Sequence, residues 1–85
     1  MNISATIPDE RVADVRFTDT ALVVELKDGR KISAPLSWFP RLVSASPETR
    51  AKWELSAAGY GIHWSLIDED LSVEGLLRGY AAPAV

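Results

Sequence analysis

Hydrophobic residues recur at every second position in the first half of the chain, which is the period of a half-buried β-strand. Ala13, Val15 and Phe17 form the first such series, and the same period returns over residues 22–26 and 32–36. The pattern predicts three strands, each with one face toward a core and the other toward water.

Turn residues separate these strands and predict how they connect. Asp19 lies in a short polar turn after the first strand, and Asp28-Gly29 separates the second strand from the third. An Asp-Gly pair between alternating segments is a strong hairpin signal, and it favours a type I′ turn with a positive φ at both central residues. We therefore expect an antiparallel meander in which Lys31 and Pro35 protect the edge of the third strand.

Helix signals follow the third strand. A short helical turn is expected over residues 36–42. Ser46 followed by Pro47 predicts the start of a helix over residues 47–53, because a hydroxyl caps the first turn and proline is harmless at the first helical position. Ser72 is expected to cap a last helix that runs through Arg78 and is ended by Gly79 in a left-handed conformation.

Two extended segments lie between these helices, around Leu55 and over residues 62–64, and we expect them to pair across the glycines at 59 and 61. The predicted fold class is α+β: a three-stranded antiparallel meander followed by short helices and a second small hairpin. A length of 85 residues allows a single domain. We place an N-terminal extension at residues 1–11, the domain at 12–79 and a C-terminal tail at 80–85.

Composition narrows the compartment and the partners. The chain has no cysteine, so disulfides and thiolate chemistry are excluded. Residues 1–10 lack the regions of a signal peptide, and no segment approaches the ~20 apolar residues that a membrane helix needs. We expect a cytoplasmic protein that does not enter membranes. Nine Lys and Arg against twelve Asp and Glu give a net charge of -3, which disfavours nucleic-acid binding.

Several short motifs follow one another along the chain in a distinctive order and spacing. They are Asp28-Gly29-Arg30, Pro35-Leu36, Trp38-Phe39-Pro40-Arg41-Leu42, Arg50, Trp53, Gly61-Ile62-His63-Trp64, Asp68-Glu69-Asp70-Leu71 and Leu76-Leu77. Taken together, these motifs resemble one bacterial family, known as domain of unknown function 2442. The resemblance spans residues 12–79 and implies a compact cytosolic α+β fold without an established activity, cofactor or catalytic set. It also implies a protein partner, since such proteins look like those encoded beside another small protein, as in toxin and antitoxin pairs.

His63 and the acidic cluster of Asp68, Glu69 and Asp70 are the candidates for chemistry. Three carboxylates near a histidine could hold a divalent cation, but the spacing fails the calcium-loop pattern, which needs glycine at its sixth position where Val73 stands. Acidic residues before a helix also complement its dipole, so a solvated helix start is the favoured interpretation. His63 alternates with apolar residues, which predicts a surface position away from the core.

Aromatic residues are abundant for so small a core, and exposed aromatics mark protein contacts. The interaction candidates are Trp38, Phe39, Arg41, Tyr60, His63, Asp68, Glu69 and Asp70.

We therefore expect a protein-interaction or regulatory, antitoxin-like module with a protein partner, no catalytic residues, no metal and no cofactor. An unpaired edge on the first strand, protected only by Asp14 and Arg16, also predicts a homodimer. The alternatives are a small hydrolase or metal-dependent enzyme using His63 with Asp68 and Asp70, and a nucleic-acid-binding protein.

Overall fold

The computed structural model describes residues 7–79 and contains two three-stranded antiparallel sheets with short helices between and after them. The predicted α+β fold, with its meander and second small hairpin, is confirmed. The strands are β1 (Val12–Phe17), β2 (Ala21–Leu26), β3 (Lys31–Pro35), β4 (Glu54–Ser56), β5 (Gly61–Trp64) and β6 (Glu69–Ser72), and the helices are α1 (Pro40–Val43), α2 (Pro47–Arg50) and α3 (Val73–Arg78), with short 3-10 turns at Leu36–Trp38 and Ala57–Gly59.

The first sheet has the order β1-β2-β3, as the meander predicts. Its register shifts between Val12 and Asp14, so one extra residue stands in β1 as a β-bulge. The bulge explains why Val12 and Val15, three residues apart, are both buried while Ala13 is exposed. The prediction that Ala13 faces the core is therefore wrong, because a bulge interrupts the period of two.

The hairpin between β2 and β3 forms where Asp28-Gly29 predicted it, but with another turn. Leu26 N–H donates to Arg30 O at 2.8 Å, and Gly29 N–H donates to Leu26 O at 3.0 Å. Only Gly29 has a positive φ there, of 96°, so this is a three-residue loop with a glycine bulge instead of a type I′ turn.

The α2 helix is shorter than predicted, but α2 and α3 both begin as expected. Ser46 Oγ accepts Thr49 N–H at 3.1 Å at the start of α2, and Ser72 Oγ accepts Gly75 N–H at 2.9 Å at the start of α3. Gly79 ends α3 with a φ of 86°. None of the helices within residues 7–79 has the length and apolar character that a membrane crossing needs.

The second sheet has the order β4-β5-β6, and β6 is an element that the sequence did not predict. The acidic cluster was expected to precede a helix directly. Instead, Glu69 and Asp70 pair with β5 opposite Trp64 and His63. Asp68 makes the turn before β6 with a φ of 51°, a conformation that aspartate tolerates better than most residues.

The core lies where the two sheets and the helical segments meet. The Trp64 ring packs edge-on against Phe17 of β1, with centroids 6.3 Å apart, and its Nε1–H donates to Arg50 O at 3.0 Å. This contact joins the first sheet, the second sheet and α2 around one buried indole. The remaining buried hydrophobic residues are Val12, Val15, Leu22, Val24, Leu26, Ala34, Leu36, Phe39, Leu42, Ile62, Val73 and Leu76.

Candidate functional site

Two of the predicted interaction residues are buried, which corrects their assignment to the surface. Phe39 is the residue that caps α1, and its side chain lies in the core with an exposed fraction of 0%. Its ring lies edge-on to that of Trp38, with centroids 6.3 Å apart. Trp38 itself is half-buried against the core. Of the two aromatic side chains that this segment was expected to expose, only Trp38 is therefore partly accessible to solvent.

Glu69 is the second correction, with 5% of its surface exposed. Its pairing with Trp64 places it on the core face of β6, where its Oε1 accepts Asp70 N–H at 3.2 Å. Its Oε2 is buried and has no hydrogen-bond partner among residues 7–79. Glu69 therefore cannot belong to an acidic surface that meets a basic partner.

His63 and Asp70 do come together, as cross-strand neighbours on the outer face of the second sheet. Their Nδ1 and Oδ1 atoms are 2.8 Å apart, and Glu54 pairs with His63 from the other side. A carboxylate at Nδ1 can orient an imidazole for base chemistry. Both side chains are open to solvent, however, with exposed fractions of 32% and 67%, and within residues 7–79 no three acidic or histidine side chains form a group that could hold a metal.

Arg41 and Asp68 meet at a different place, where the Arg41 guanidinium donates to the backbone carbonyl of Asp68 at 3.0 Å. Beside them is a hollow of about 410 Å³ between α1 and the β5–β6 turn. The same turn contains Leu66, whose side chain is exposed. Tyr60 is half-exposed at the opposite end of β5. The predicted interaction residues are thus dispersed over several surfaces and do not form one site.

The outer edge of β1 offers a more coherent site. β1 is the terminal strand of its sheet, and within residues 7–79 no strand pairs with its outer side. Thr18 N–H donates to Ala21 O at 2.9 Å, so Thr18 directs its backbone groups toward β2. Because this direction alternates along an antiparallel strand, Val15 and Phe17 direct their N–H and C=O groups outward. These are groups that a further strand could pair.

A groove of about 500 Å³ runs between this edge and α2. Its β1 side comprises residues 15–17 and the turn at 18–19, and Pro47, Arg50 and Ala51 form the opposite side. Backbone groups of a strand therefore lie beside an open space bounded by a helix. The meander predicted the edge, but the position of α2 depends on tertiary contacts that no sequence period reports.

Arg50 is the residue that fixes the helical side of the groove. Its guanidinium donates to Leu42 O at 2.8 Å and to Val43 O at 3.2 Å, the carbonyls at the end of α1. It also lies 5.4 Å from the centroid of the Phe17 ring, a cation–π geometry. This one side chain thus connects α2 to both α1 and β1 and lines the groove between them.

The outer face of β1 carries one charge of each sign. The Asp14 and Arg16 side chains are about half exposed, and their nearest charged atoms are 3.8 Å apart. Across the sheet, Asp14 stands opposite Glu25, a like charge, and Arg16 stands opposite Val23. Neither residue lies directly opposite a charge of the other sign on β2, so a strand on the free side could supply one to each.

An ion-pair cluster anchors the start of β1 to the β2–β3 turn. Asp28 accepts Asp9 N–H at 3.0 Å and Arg30 N–H at 3.1 Å, and Arg30 also contacts it through its guanidinium at 2.7 Å. Hydrogen bonds from the Arg30 side chain hold the pKa of Asp28 well below its usual range. Those from Arg11 lower the pKa of Asp9 to about 2. The cluster fixes the chain before residue 12 to the sheet.

The chain belongs to a family described as "Protein of unknown function (DUF2442)", whose model matches residues 12–82. The resemblance found in the sequence motifs is thereby confirmed. None of the curated proteins compared with the chain matches it.

Two solved structures are similar along most of the chain. A protein of unknown function from Rhodospirillum rubrum ATCC 11170 is 31% identical with a TM-score of 0.71, and the match covers 86% of this chain and 90% of that one. An uncharacterized protein from Chromobacterium violaceum, known from solution NMR, is 25% identical with a TM-score of 0.72, covering 87% of this chain and 70% of that one. Both similarities support the fold without adding a function.

Proposed function

We propose that the protein is an interaction module that binds an extended segment of a protein partner along the outer edge of β1. The observation that carries the proposal is the free edge of β1 beside the groove of about 500 Å³. Peptides bind in this way to several domain classes, where main-chain hydrogen bonds supply affinity and the bordering groove accepts alternate side chains.

The opposite edge of the same sheet is less suited to this role. β3 is the other terminal strand, and it carries an exposed Lys31 at one end and Pro35 at the other. Proline cannot donate to a new strand, and lysine on an edge opposes pairing. These residues protect the β3 edge, whereas β1 carries opposite charges and no proline.

The proposal keeps the regulatory, antitoxin-like role that the sequence suggested, with a different contact surface. Such a module would control a partner by pairing with an extended segment of it, in place of presenting Trp38 and an acidic cluster.

We also propose a cytoplasmic location, in keeping with a chain that has no cysteine.

A random peptide display library selected on the protein tests the proposal. We expect the recovered peptides to alternate apolar and polar residues and to slow hydrogen exchange at the Val15 and Phe17 amides. A chain assembled by ligation with an N-methyl group on the Val15 nitrogen should lose this binding, because the group removes a donor and blocks the edge.

The matched control carries the N-methyl group at Ser33. Arg30 C=O accepts a hydrogen bond from Leu26 N–H, so Arg30 and, two residues further on, Ile32 direct their backbone groups toward β2. Because the direction alternates along the strand, Ser33 directs its backbone groups outward from the β3 edge. The Ser33 variant should bind as well as the parent. Peptides whose protected amides lie away from β1, or equal losses in both variants, would refute the proposal.

A further inference from the structure

We infer that the strand bound at this edge is β1 of a second copy of the chain, in an antiparallel register centred on Val15. The inference rests on the proposed function and names its partner. It joins two three-stranded sheets into one six-stranded sheet across a two-fold axis, the commonest symmetry of soluble oligomers.

The backbone of β1 has the correct phase for this register. Val15 directs its N–H and C=O groups outward, so two Val15 residues facing each other would exchange both hydrogen bonds. A two-fold axis through that pair keeps the core faces of both sheets on the same side. It also places the small, exposed Ala13 opposite the larger Phe17 of the second copy.

The charges of β1 are self-complementary in this register. Centring on Val15 places Asp14 opposite Arg16 of the second copy, and Arg16 opposite its Asp14. Both are non-hydrogen-bonded pairs, in which side chains approach most closely and opposite charges stabilise the sheet. Within one copy, Glu25 on β2 lies opposite Lys31 on β3 and opposite Asp14 on β1. Asp14 therefore has a like charge opposite it in its own sheet, and Arg16 of the second copy would place an opposite charge on its free side.

Other symmetric registers lack this complementarity. Centring on Phe17 would place Arg16 opposite Thr18 and Asp14 opposite Thr20. Centring on Asp14 or Arg16 would make that residue a non-hydrogen-bonded pair with its own copy, and would therefore place two like charges directly opposite each other. Among these registers, the alternation of charge about Val15 therefore favours the one centred on that residue, in which β1 is complementary to its own copy.

Charge reversal tests the register by sedimentation velocity. The parent should change from a 9.3 kDa species to one of about twice that mass as its concentration rises. Asp14→Arg alone makes the edge doubly positive and Arg16→Asp alone makes it doubly negative. Each should weaken self-association about tenfold or more, since two like-charged pairs replace two opposite ones.

Restoring the complementarity should restore the dimer. The double variant Asp14→Arg with Arg16→Asp exchanges both signs and should associate like the parent. An equimolar mixture of the two single variants should form a heterodimer, because the positive edge then meets the negative one. Lys31→Glu, a charge reversal on the β3 edge, is the matched control and should leave the association unchanged.

Neutral replacements serve if a single reversal fails to fold, which circular dichroism would reveal. Asp14→Asn with Arg16→Gln should then weaken association and remove its dependence on salt. A parent that stays at 9.3 kDa, or single reversals that dimerise like the parent, would overturn the inference. In that event, library peptides that still protect Val15 would leave the proposed function standing, and their absence would remove both.

Discussion

His63 is held by its neighbours without being buried. Its ring contacts Asp70 at 2.8 Å on the outer face of the second sheet, and the adjacent Ile62 and Trp64 are buried on the other face. This is the orientation that the alternation of residues 62–64 predicted. An exposed pair of this kind contributes little to stability, because water competes for both groups.

We therefore expect His63→Ala to change the free energy of unfolding by no more than about 0.5 kcal/mol in a urea titration. Ile62→Val, one residue away but facing the core, is the control and should lower it by about 1 kcal/mol. A loss at His63 larger than the loss at Ile62 would show that the histidine supports the fold in a way that its exposed position does not explain.

The pairing of β5 with β6 shows why tertiary contacts override local composition. Asp and Glu are depleted in strands, so the segment at 69–72 gave no strand signal. Cross-strand pairing with Trp64 and His63 nevertheless makes it a strand and turns Glu69 inward. The bulge at Ala13 also depends on pairing between strands, because it is visible only as a shift in the register of β1 against β2. By contrast, the three alternating segments and the capped helix starts could be predicted because their signals are local.

The cluster at the β2–β3 hairpin makes the stability of this element depend on pH. The pKa of Asp28 is lowered mainly by the Arg30 side chain, and the pKa of Asp9 is lowered to about 2 by that of Arg11. A carboxyl whose pKa is lower in the folded state stabilises the fold above its unfolded pKa, near 3.8 here, and loses that contribution as the pH falls toward the folded value.

We expect Asp28→Asn to lower the melting temperature clearly at about pH 5 and by much less at about pH 2.5, where the parent has lost part of the same contribution. Asp9→Asn should show the same trend with a smaller gap, because Asp9 has fewer partners in the cluster. Thermal melts of the three proteins across this range are the measurement. A constant gap between parent and Asp28→Asn at both pH values would contradict the assigned pKa shifts.

The whole molecule consists of two small sheets around one core, and the two edges of the first sheet differ in their protection. Lys31 and Pro35 protect β3, whereas β1 presents outward backbone groups and an alternating charge pair beside a groove that Arg50 supports. Unpaired backbone groups on an edge strand are a template on which another strand can pair. We accordingly expect the molecule to bind by strand addition at β1, with β1 of a second copy as the added strand.

Amide hydrogen exchange, followed by NMR as a function of protein concentration, tests that claim most directly. At concentrations where the chain is monomeric, the Val15 and Phe17 amides should exchange rapidly, while the Arg16 amide, which points toward β2, should be protected. As dimers form, protection should appear at Val15 and Phe17 and remain unchanged at Arg16. Rapid exchange at Val15 and Phe17 in a sample that sedimentation shows to be dimeric would contradict the account.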